Sequence, residues 1–440
     1  MPRGSGRARP RERALLVQLR LPGLDVDTEL GESRLLVHSA GAQVCAELLG
    51  KRERPDVATY IGKGKAEELR DLVAREQIEV AIVNHDLTPA QERNLETIAC
   101  CRVLDRNGLI LDIFAQRARS HEGKLQVELA QLEHLSTRLV RGWTHLERQR
   151  GGIGLRGPGE TQLETDRRLI RTRVKNLTQR LEKVRAQRHS RRKARHKIPI
   201  PTVSLVGYTN AGKSTLFNRL TGAHSYVADQ LFATLDPTMR RVQLAGNTQA
   251  ILADTVGFIR HLPHQLVEAF KSTLEEVTQA DLLLHVVDGS SAERREQIEQ
   301  VQGVLDEIEA GQIPQITVFN KIDLSGEPAR LERDENGMAT RVWLSAQTGE
   351  GVDLLRQALS EHHRRDRLVQ RLCLPPAAGR LRALIYEHLN VLSEAHSVEG
   401  EWLLEIELSP PDLAWLISLP DFKPGEMLET EKCVLARASA

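Results

Sequence analysis

The chain has 440 residues, a length that corresponds to about three domains. With 40% hydrophobic and 28% charged residues, most of it should fold around cores, and 3% aromatic residues argue against base stacking as the main mode of any nucleic-acid contact. Lys and Arg number 61 and Asp and Glu 60, so the net charge of +1 indicates no class of partner. The five cysteines form no CxxC pair and no Cys/His ligand series, which argues against a disulfide scaffold or a zinc site and fits a reducing cytoplasm. No apolar run approaches the ~20 residues of a membrane helix, so we expect no stable membrane insertion.

The first predicted segment, residues 1–12, is an Arg-rich flexible tail, with an organelle presequence as the alternative. Residues 13–114 alternate short apolar runs with helical patterns. Ala14–Leu19 and Val80–Val83 resemble buried strands, and Lys65–Arg75 and Pro89–Ile98 resemble helices. This alternation predicts an N-terminal α/β domain with a largely parallel sheet.

Residues 115–197 show two apolar stripes at helical spacing, separated by a glycine-rich stretch from Arg150 to Gly159. A helix cannot run through that stretch, so we predict an antiparallel helical hairpin with a tip loop over residues 150–160. Thr161 and Glu164 have the spacing of a capping box that would restart the helix after the tip. The stripes are Leu125, Leu129, Leu132, Leu135, Leu139 and Trp143, then Leu163, Ile170, Val174, Leu177, Leu181 and Val184.

Residues 198–364 again alternate strand and helix, and residues 365–440 read as a small C-terminal α+β domain. In the former, the β-rich run Thr202–Val206 leads into Gly207-Tyr-Thr-Asn-Ala-Gly-Lys-Ser214 and then a helical pattern. This is the context of a phosphate-binding loop, in which backbone N–H groups wrap the phosphates at a helix N-terminus. Lys213 would reach the β- and γ-phosphates, and the Ser214 hydroxyl would bind Mg²⁺.

Three later motifs narrow the nucleotide to guanine. Asp254-Thr-Val-Gly257 follows an apolar run, so that Asp254 can hold Mg²⁺ through water and Gly257 can donate its N–H to the γ-phosphate. Asn320-Lys-Ile-Asp323 follows the next such run, and the Asp323 carboxylate accepts from the two edge N–H groups of guanine. Ser345-Ala346 follows a third and can close over the base.

A threonine that senses the γ-phosphate is also needed, and we predict Thr234 as switch residue and second Mg²⁺ ligand, against an ordinary loop hydroxyl. Phe258 occupies the position at which Ras-type enzymes carry a water-orienting glutamine, so hydrolysis should be slow or partner-stimulated. Asn210 could help to hold K⁺, or simply shape the loop. The predicted nucleotide-binding set is Gly207, Tyr208, Thr209, Asn210, Ala211, Gly212, Lys213, Ser214, Thr215, Phe232, Thr234, Asp254, Gly257, Asn320, Lys321, Asp323, Ser345 and Ala346, with Lys213, Thr234 and Gly257 assigned to catalysis.

The second hairpin helix concentrates positive charge. Residues 165–197 contain 14 Lys or Arg against two acids, which is a net of 14 − 2 = +12. A solvated helix face explains such a run, but a basic hairpin with arginines and glycines at its tip also has the shape to enter a phosphate-lined cleft. The predicted RNA-contacting residues are Arg150, Gly151, Gly152, Arg156 and Gly157.

Several stretches together resemble the HflX family, translation-associated GTPases of the Obg–HflX group. The stretches are Thr59–Leu69, Leu104–Asp112, Gly151–Asp166, Gln230–Thr238 and Asp254–Phe258. The resemblance implies a monomeric GTP-hydrolysing factor, with GTP or GDP and Mg²⁺ as cofactors. It also implies binding to the large ribosomal subunit near the peptidyl-transferase region, where the hairpin tip probes ribosomal RNA, and the splitting of stalled ribosomes under stress. The family has been credited with ATP binding at its N-terminal domain; here Gly62-Lys-Gly-Lys65 could serve phosphate or be a plain strand-to-helix turn.

Two other functions remain open at this stage. One is a GTPase checkpoint in assembly of the large ribosomal subunit, which would bind immature particles and leave intact ribosomes alone. The other is a signalling GTPase that uses the hairpin as a coiled-coil arm for a protein effector. The second would need an extra apolar stripe outside the internal seam, and the hairpin pattern contains none.

Overall fold

The computed structural model describes residues 11–22, 26–142, 158–195, 200–222, 231–244, 249–260, 271–364, 368–397, 400–408 and 410–428. The predicted RNA-contacting loop, Arg150 to Gly157, lies outside these ranges. The chain divides into two compact units. The first comprises residues 1–185, 226–237 and 256–275, and the second comprises residues 186–225, 238–255 and 276–440.

The first unit begins with a four-stranded parallel sheet in the order β2-β1-β3-β4. Residues Ala14 to Leu19 of the inner strand β1 are all buried, as expected of a strand covered on both faces. The predicted α/β architecture is therefore confirmed here. The elements are β1 (Arg13–Arg20), α1 (Val26–Ser39), β2 (Gln43–Lys51), α2 (Lys63–Glu76), β3 (Val80–Val83), α3 (Pro89–Ala99), β4 (Arg102–Asp105) and α4 (Arg106–Arg117).

The same unit continues into the helical hairpin, formed by α5 (His121–Gly142) and α6 (Pro158–Arg195). Its buried seam joins Leu125 near the start of α5 to Leu177 and Leu181 of α6, with Leu129 and Leu132 packed alongside. Farther along α5, Glu128 pairs with Arg173, so later residues of α5 meet earlier residues of α6. The two helices are thus antiparallel, as the stripes predict.

The predicted capping box at Thr161 and Glu164 is wrong. The helix α6 already begins at Pro158, so Thr161 lies within its first turn or just beyond. Proline is well suited to the first helical position because its missing N–H is one that a helix start leaves without a partner, and its φ is preset. The Thr161 and Glu164 spacing lies inside α6 and therefore does not mark the start of this helix.

The second unit is built on a seven-stranded sheet in the order β10-β11-β9-β8-β5-β7-β6. The five central strands are parallel, and the edge strands β10 and β6 are antiparallel to their neighbours. Parallel strands place their carboxyl ends on one edge, where the loops of the candidate site gather. The elements are β5 (Thr202–Val206), α7 (Lys213–Thr221), β6 (Thr238–Gln243), β7 (Gln249–Asp254), α8 (Lys271–Thr278), β8 (Leu282–Asp288), α9 (Arg294–Glu307), β9 (Gln315–Asn320), α10 (Ile322–Ser325), β10 (Arg330–Arg333), β11 (Ala339–Trp343) and α11 (Val352–Arg364).

The chain closes with a three-stranded antiparallel sheet in the order β12-β14-β13, whose core includes Leu372, Ile385, Leu404, Ile406 and Leu416. This matches the predicted small α+β domain. Its elements are β12 (Leu368–Leu374), α12 (Gly379–His388), β13 (Asn390–His396), β14 (Trp402–Leu408), α13 (Pro410–Ile417) and α14 (Pro424–Met427). Among the residues described, no helix combines the length and apolarity needed to cross a membrane.

Candidate nucleotide site

The loop between β5 and α7 depends on two glycines for its shape. Gly207 has φ +147° and Gly212 has φ +95°, conformations that side chains rarely adopt. A Cβ atom at Gly207 would overlap the carbonyl oxygen of Val286, and one at Gly212 would overlap the side-chain amide of Asn320. The loop therefore presents bare backbone at the N-terminus of α7, as a phosphate cradle requires.

Lys213, the first residue of α7, is buried and donates from Nζ to the carbonyl oxygens of Gly207 at 2.9 Å and Tyr208 at 2.7 Å. Burial lowers the pKa of Lys213 to about 8, and the nearby Asp254 carboxylate acts in the opposite direction. The ammonium is thus folded back onto its own loop. An anionic phosphate would stabilise its charged form better than neutral carbonyls do.

Ser214 and Asp254 meet beside the loop, where the Ser214 hydroxyl donates to Oδ2 of Asp254 at 2.8 Å. Asp254 ends β7 and Ser214 lies in the first turn of α7, so the sheet itself brings these oxygens together. Hydroxyl and carboxylate oxygens are ligands that Mg²⁺ accepts, directly or through water. In the same loop, Thr209 is buried and its hydroxyl oxygen has no hydrogen-bond partner among the described residues. These donors and oxygens, together with the glycine-shaped cradle, fit a Mg²⁺–nucleoside triphosphate.

Asn320 links the phosphate loop to the predicted base-binding loop. At the end of β9, its side chain donates from Nδ2 to the carbonyl oxygen of Ala211 at 2.8 Å and accepts at Oδ1 from the N–H of Ala346 at 2.8 Å. Asn320 is buried, so both bonds are shielded from water. One side chain thereby fixes the spacing between the two loops that would hold opposite ends of a nucleotide.

The remaining base-site residues surround this link. Lys321 has a left-handed backbone, φ +67°, and its ammonium pairs with Asp288 at 2.7 Å. Asp323 is exposed at the start of α10, where its carboxylate could accept from the N–H groups of a bound guanine. Ser345 is buried, and its hydroxyl accepts from the N–H of Thr348 at 3.1 Å, which shapes the loop that carries Ala346.

The predicted residues are divided between the two units. The phosphate loop, Asp254, Asn320, Lys321, Asp323, Ser345 and Ala346 belong to the second unit, and the contacts above bring most of them together. Phe232, Thr234 and Gly257 belong to the first unit, which also holds the N-terminal sheet and most of the hairpin. The segments predicted to sense the γ-phosphate therefore pack with the N-terminal part of the chain.

Sequence reasoning missed three residues of interest. His285 is buried in β8, and burial, with the neighbouring Lys213 charge, lowers its pKa to about 4. Arg106 is buried in the first unit and donates to the carbonyl oxygen of Arg260, three residues after Gly257, at 2.8 Å. Asp236 accepts hydrogen bonds from the start of the hairpin. Only the polar interruption of an apolar strand by His285 gave any signal in the sequence.

The fold and this arrangement of side chains define a P-loop GTPase. Family models match three successive parts of the chain: one described as GTP-binding GTPase N-terminal matches residues 27–115, one described as GTP-binding GTPase middle region matches residues 117–195, and one described as 50S ribosome-binding GTPase matches residues 202–321.

Curated relatives over almost the whole length bear one name. A GTPase HflX from Escherichia coli (strain K12) is 56% identical over 397 residues, which cover 90% of this chain and 91% of the relative. A GTPase HflX from Magnetococcus marinus is 50% identical and covers 92% of this chain and 94% of its own. A solved structure of a GTP-binding protein from Sulfolobus solfataricus in complex with GDP is 26% identical, with a TM-score of 0.44 over 80% of this chain and 98% of that one.

The chain belongs to the HflX family of GTPases. It is accordingly an enzyme that hydrolyses GTP, and it binds GTP and GDP, typically with Mg²⁺. The resemblance inferred from the motifs is confirmed.

Proposed function

We propose that this GTPase binds the large ribosomal subunit through ribosomal RNA near the peptidyl-transferase region and splits stalled ribosomes under stress, acting as a cytoplasmic monomer. The observation that carries the proposal is that the predicted switch segments around Thr234 and Gly257 belong to the same compact unit as the N-terminal sheet and most of the basic hairpin. A change at the nucleotide can then reach the RNA-binding element without an additional partner. The family description, 50S ribosome-binding GTPase, supports the choice of partner.

The charge on α6 supports RNA as the surface that the hairpin contacts. Arg171, Lys175 and Arg180 are exposed on this helix, while Leu177 and Leu181 face the seam with α5. Exposed cations along a helix bind phosphates and release counterions, so binding should weaken steeply with salt. In the tip loop, Arg150, Arg156 and the glycines Gly151, Gly152 and Gly157 would approach the RNA most closely.

At the nucleotide, Lys213 would neutralise the β- and γ-phosphates and Ser214 and Thr234 would hold Mg²⁺. Gly257 would donate its N–H to the γ-phosphate. Phe258 is buried and has no group that can orient water, so the intrinsic rate should be low and rise on the ribosome. Asn210, which has a left-handed backbone in the loop, is the proposed contact for an assisting K⁺. Turnover that is the same with and without ribosomes, and in Na⁺ and K⁺, would contradict this scheme.

We give ATP no part in the proposal. Gly62 directly precedes α2, and the guanidinium of Arg52 occupies the space beside it, where a Cβ atom would overlap it. The N–H of Gly62 donates to the hydroxyl of Thr59 at 3.1 Å. Its turn is thus already filled by the protein's own groups, which favours a strand-to-helix connection.

The decisive experiment is sedimentation of purified 70S ribosomes through sucrose gradients with the protein and GTP, a non-hydrolysable analogue or GDP. We expect subunits to appear with the triphosphates and not with GDP. Charge reversal at Arg171, Lys175 and Arg180 should abolish splitting, whereas Arg70→Glu on the exposed side of α2 serves as a matched control and should not. Replacing Arg150 and Arg156 by Ala should impair splitting and leave intrinsic hydrolysis intact.

The same gradients distinguish the assembly alternative. An assembly checkpoint would migrate with immature large subunits and leave 70S particles whole with every nucleotide. If the protein fails to migrate with any ribosomal particle, the ribosomal proposal fails altogether, and a protein effector for the hairpin becomes the better explanation.

A further inference from the structure

Asp236 lies two residues after Thr234 and binds the start of the hairpin. Its Oδ2 accepts from the backbone N–H of Arg119 at 2.8 Å and of Ser120 at 2.7 Å, and its Oδ1 accepts from the Ser120 hydroxyl. All three residues belong to the first unit, although 116 residues separate Ser120 from Asp236 in the chain. We call this set of three hydrogen bonds the Asp236 cap.

The Asp236 cap completes the N-terminus of α5. Ser120 directly precedes the helix, and its hydroxyl oxygen accepts from the N–H of Gly123 at 2.8 Å, as an N-cap serine does. Asp236 then orients that hydroxyl and adds a negative charge at the positive end of the helix dipole. The fit is close, because a Cβ atom at Gly123 would overlap Oδ1 of Asp236.

Leu231 and Phe232, which precede Thr234, also contact the N-terminal part of the first unit. The N–H of Leu231 donates to the Ser39 hydroxyl at 2.9 Å. Phe232 is buried against the edge of Phe114, with ring centroids 4.6 Å apart, although its φ of +55° is unfavourable for a bulky side chain. A strained residue of this kind persists only where its surroundings hold it, and such residues are frequent in switch regions.

We propose that Asp236 is a positioning residue that transmits the state of the nucleotide to the hairpin. This inference rests on the proposed role of Thr234. When Mg²⁺ and the γ-phosphate hold Thr234, the segment is ordered and the Asp236 cap is made, which stabilises the first turn of α5. After hydrolysis Thr234 is released, the segment loosens, and the α5 start loses its external acceptor. The N-terminal turn of α5, the helix that packs against the basic α6, is therefore more stable with GTP than with GDP.

Hydrogen exchange on the full-length protein tests this inference without ribosomes. We expect amides in residues 118–124 to exchange about tenfold more slowly with Mg²⁺ and guanosine 5′-(β,γ-imido)triphosphate than with Mg²⁺ and GDP, since an N-cap interaction has roughly that effect. Asp236→Ala should exchange at the faster rate with both nucleotides, while its affinity for GDP stays near that of the wild type. Asp71→Ala, an exposed aspartate of α2 in the same unit, is the matched control and should keep the difference.

Two further variants sharpen the result. Asp236→Asn keeps the size of the side chain and one acceptor oxygen, so it should retain part of the difference in exchange rate between the two nucleotides. A partial difference in this variant would show that the loss in Asp236→Ala does not come from misfolding. Ser120→Ala removes both the hydroxyl that donates to Asp236 and the oxygen that accepts from the Gly123 N–H. It should therefore speed exchange at the start of α5 with both nucleotides, and combining it with Asp236→Ala should speed it further. Equal exchange with both nucleotides in the wild type, or a full difference in Asp236→Ala, would overturn the inference.

A third variant separates this inference from the proposed function. If Thr234→Ala keeps the nucleotide-dependent difference and Asp236→Ala loses it, Asp236 still couples the site to the hairpin but Thr234 is not the sensor. Failure of ribosome splitting with an intact exchange difference would count against the proposed function alone.

Discussion

Replacing Asn320 by Ala should weaken nucleotide binding strongly, because Asn320 joins two loops of the candidate site. The substitution removes a donor to the Ala211 carbonyl and an acceptor from the Ala346 N–H, both at 2.8 Å and both buried. A buried backbone group left without its partner costs roughly 1–3 kcal/mol. Because the nucleotide needs both loops at the spacing that Asn320 sets, the variant must restore this spacing on binding. Allowing for partial relaxation, we expect about 2–4 kcal/mol of the cost to appear in binding, which corresponds to about 30-fold to 1,000-fold in the dissociation constant for GDP.

The assay is fluorescence titration with an N-methylanthraniloyl-GDP, accompanied by thermal unfolding of the nucleotide-free protein. Ser204→Ala is the matched control, since it also removes a buried hydrogen bond of the second unit, from the Ser204 hydroxyl to the Glu276 carbonyl at 2.6 Å. It should lower stability without a comparable loss of affinity. Asn320→Asp should bind no better than Asn320→Ala, because it sets an oxygen against the Ala211 carbonyl. A folded Asn320→Ala protein that binds GDP within threefold of the wild type would refute the bridging role.

Three other expectations concern the same unit. Lys213→Ala should abolish productive GTP binding, and normal GTP affinity in this variant would contradict its assignment. Ser214→Ala should remove the Mg²⁺ dependence of triphosphate affinity, and an affinity that still falls on addition of EDTA would contradict its assignment. Asp323→Asn should shift preference from guanine towards xanthine nucleotides, and unchanged preference in competition binding would contradict a base-reading role. His285 has a pKa of about 4 instead of 6.5, so the unfolded state takes up a proton first as the pH falls and the native state loses stability. In urea unfolding, the wild type should lose about 2 kcal/mol more than His285→Leu between pH 7 and pH 5, and equal losses would show that the imidazole is not buried in neutral form.

Short-range chemistry made much of the site predictable. The phosphate loop is contiguous in sequence, and the conformations of Gly207 and Gly212 are ones for which glycine is strongly preferred. The other motifs follow apolar runs that form parallel strands, so their order along the chain places them at one edge of the sheet. The hairpin follows from helical spacing on either side of a glycine-rich stretch, although the last residues of that stretch, Pro158 and Gly159, already belong to α6. Thr161 shows the limit, because a local pattern compatible with a helix start does not determine which residue starts it.

The amino-acid sequence by itself determined the chemical class, a P-loop GTPase with a glycine-shaped phosphate loop and a basic hairpin, and it predicted a hydroxyl for magnesium and a carboxylate for guanine. Each depends on residues that are neighbours along the chain or that follow successive strands. Only the tertiary structure decided that the segments around Thr234 and Gly257 pack with the N-terminal domain, and that Asp236 caps a helix that begins more than a hundred residues earlier. Such contacts carry no periodicity or motif, because they depend on how separately folded surfaces meet in space.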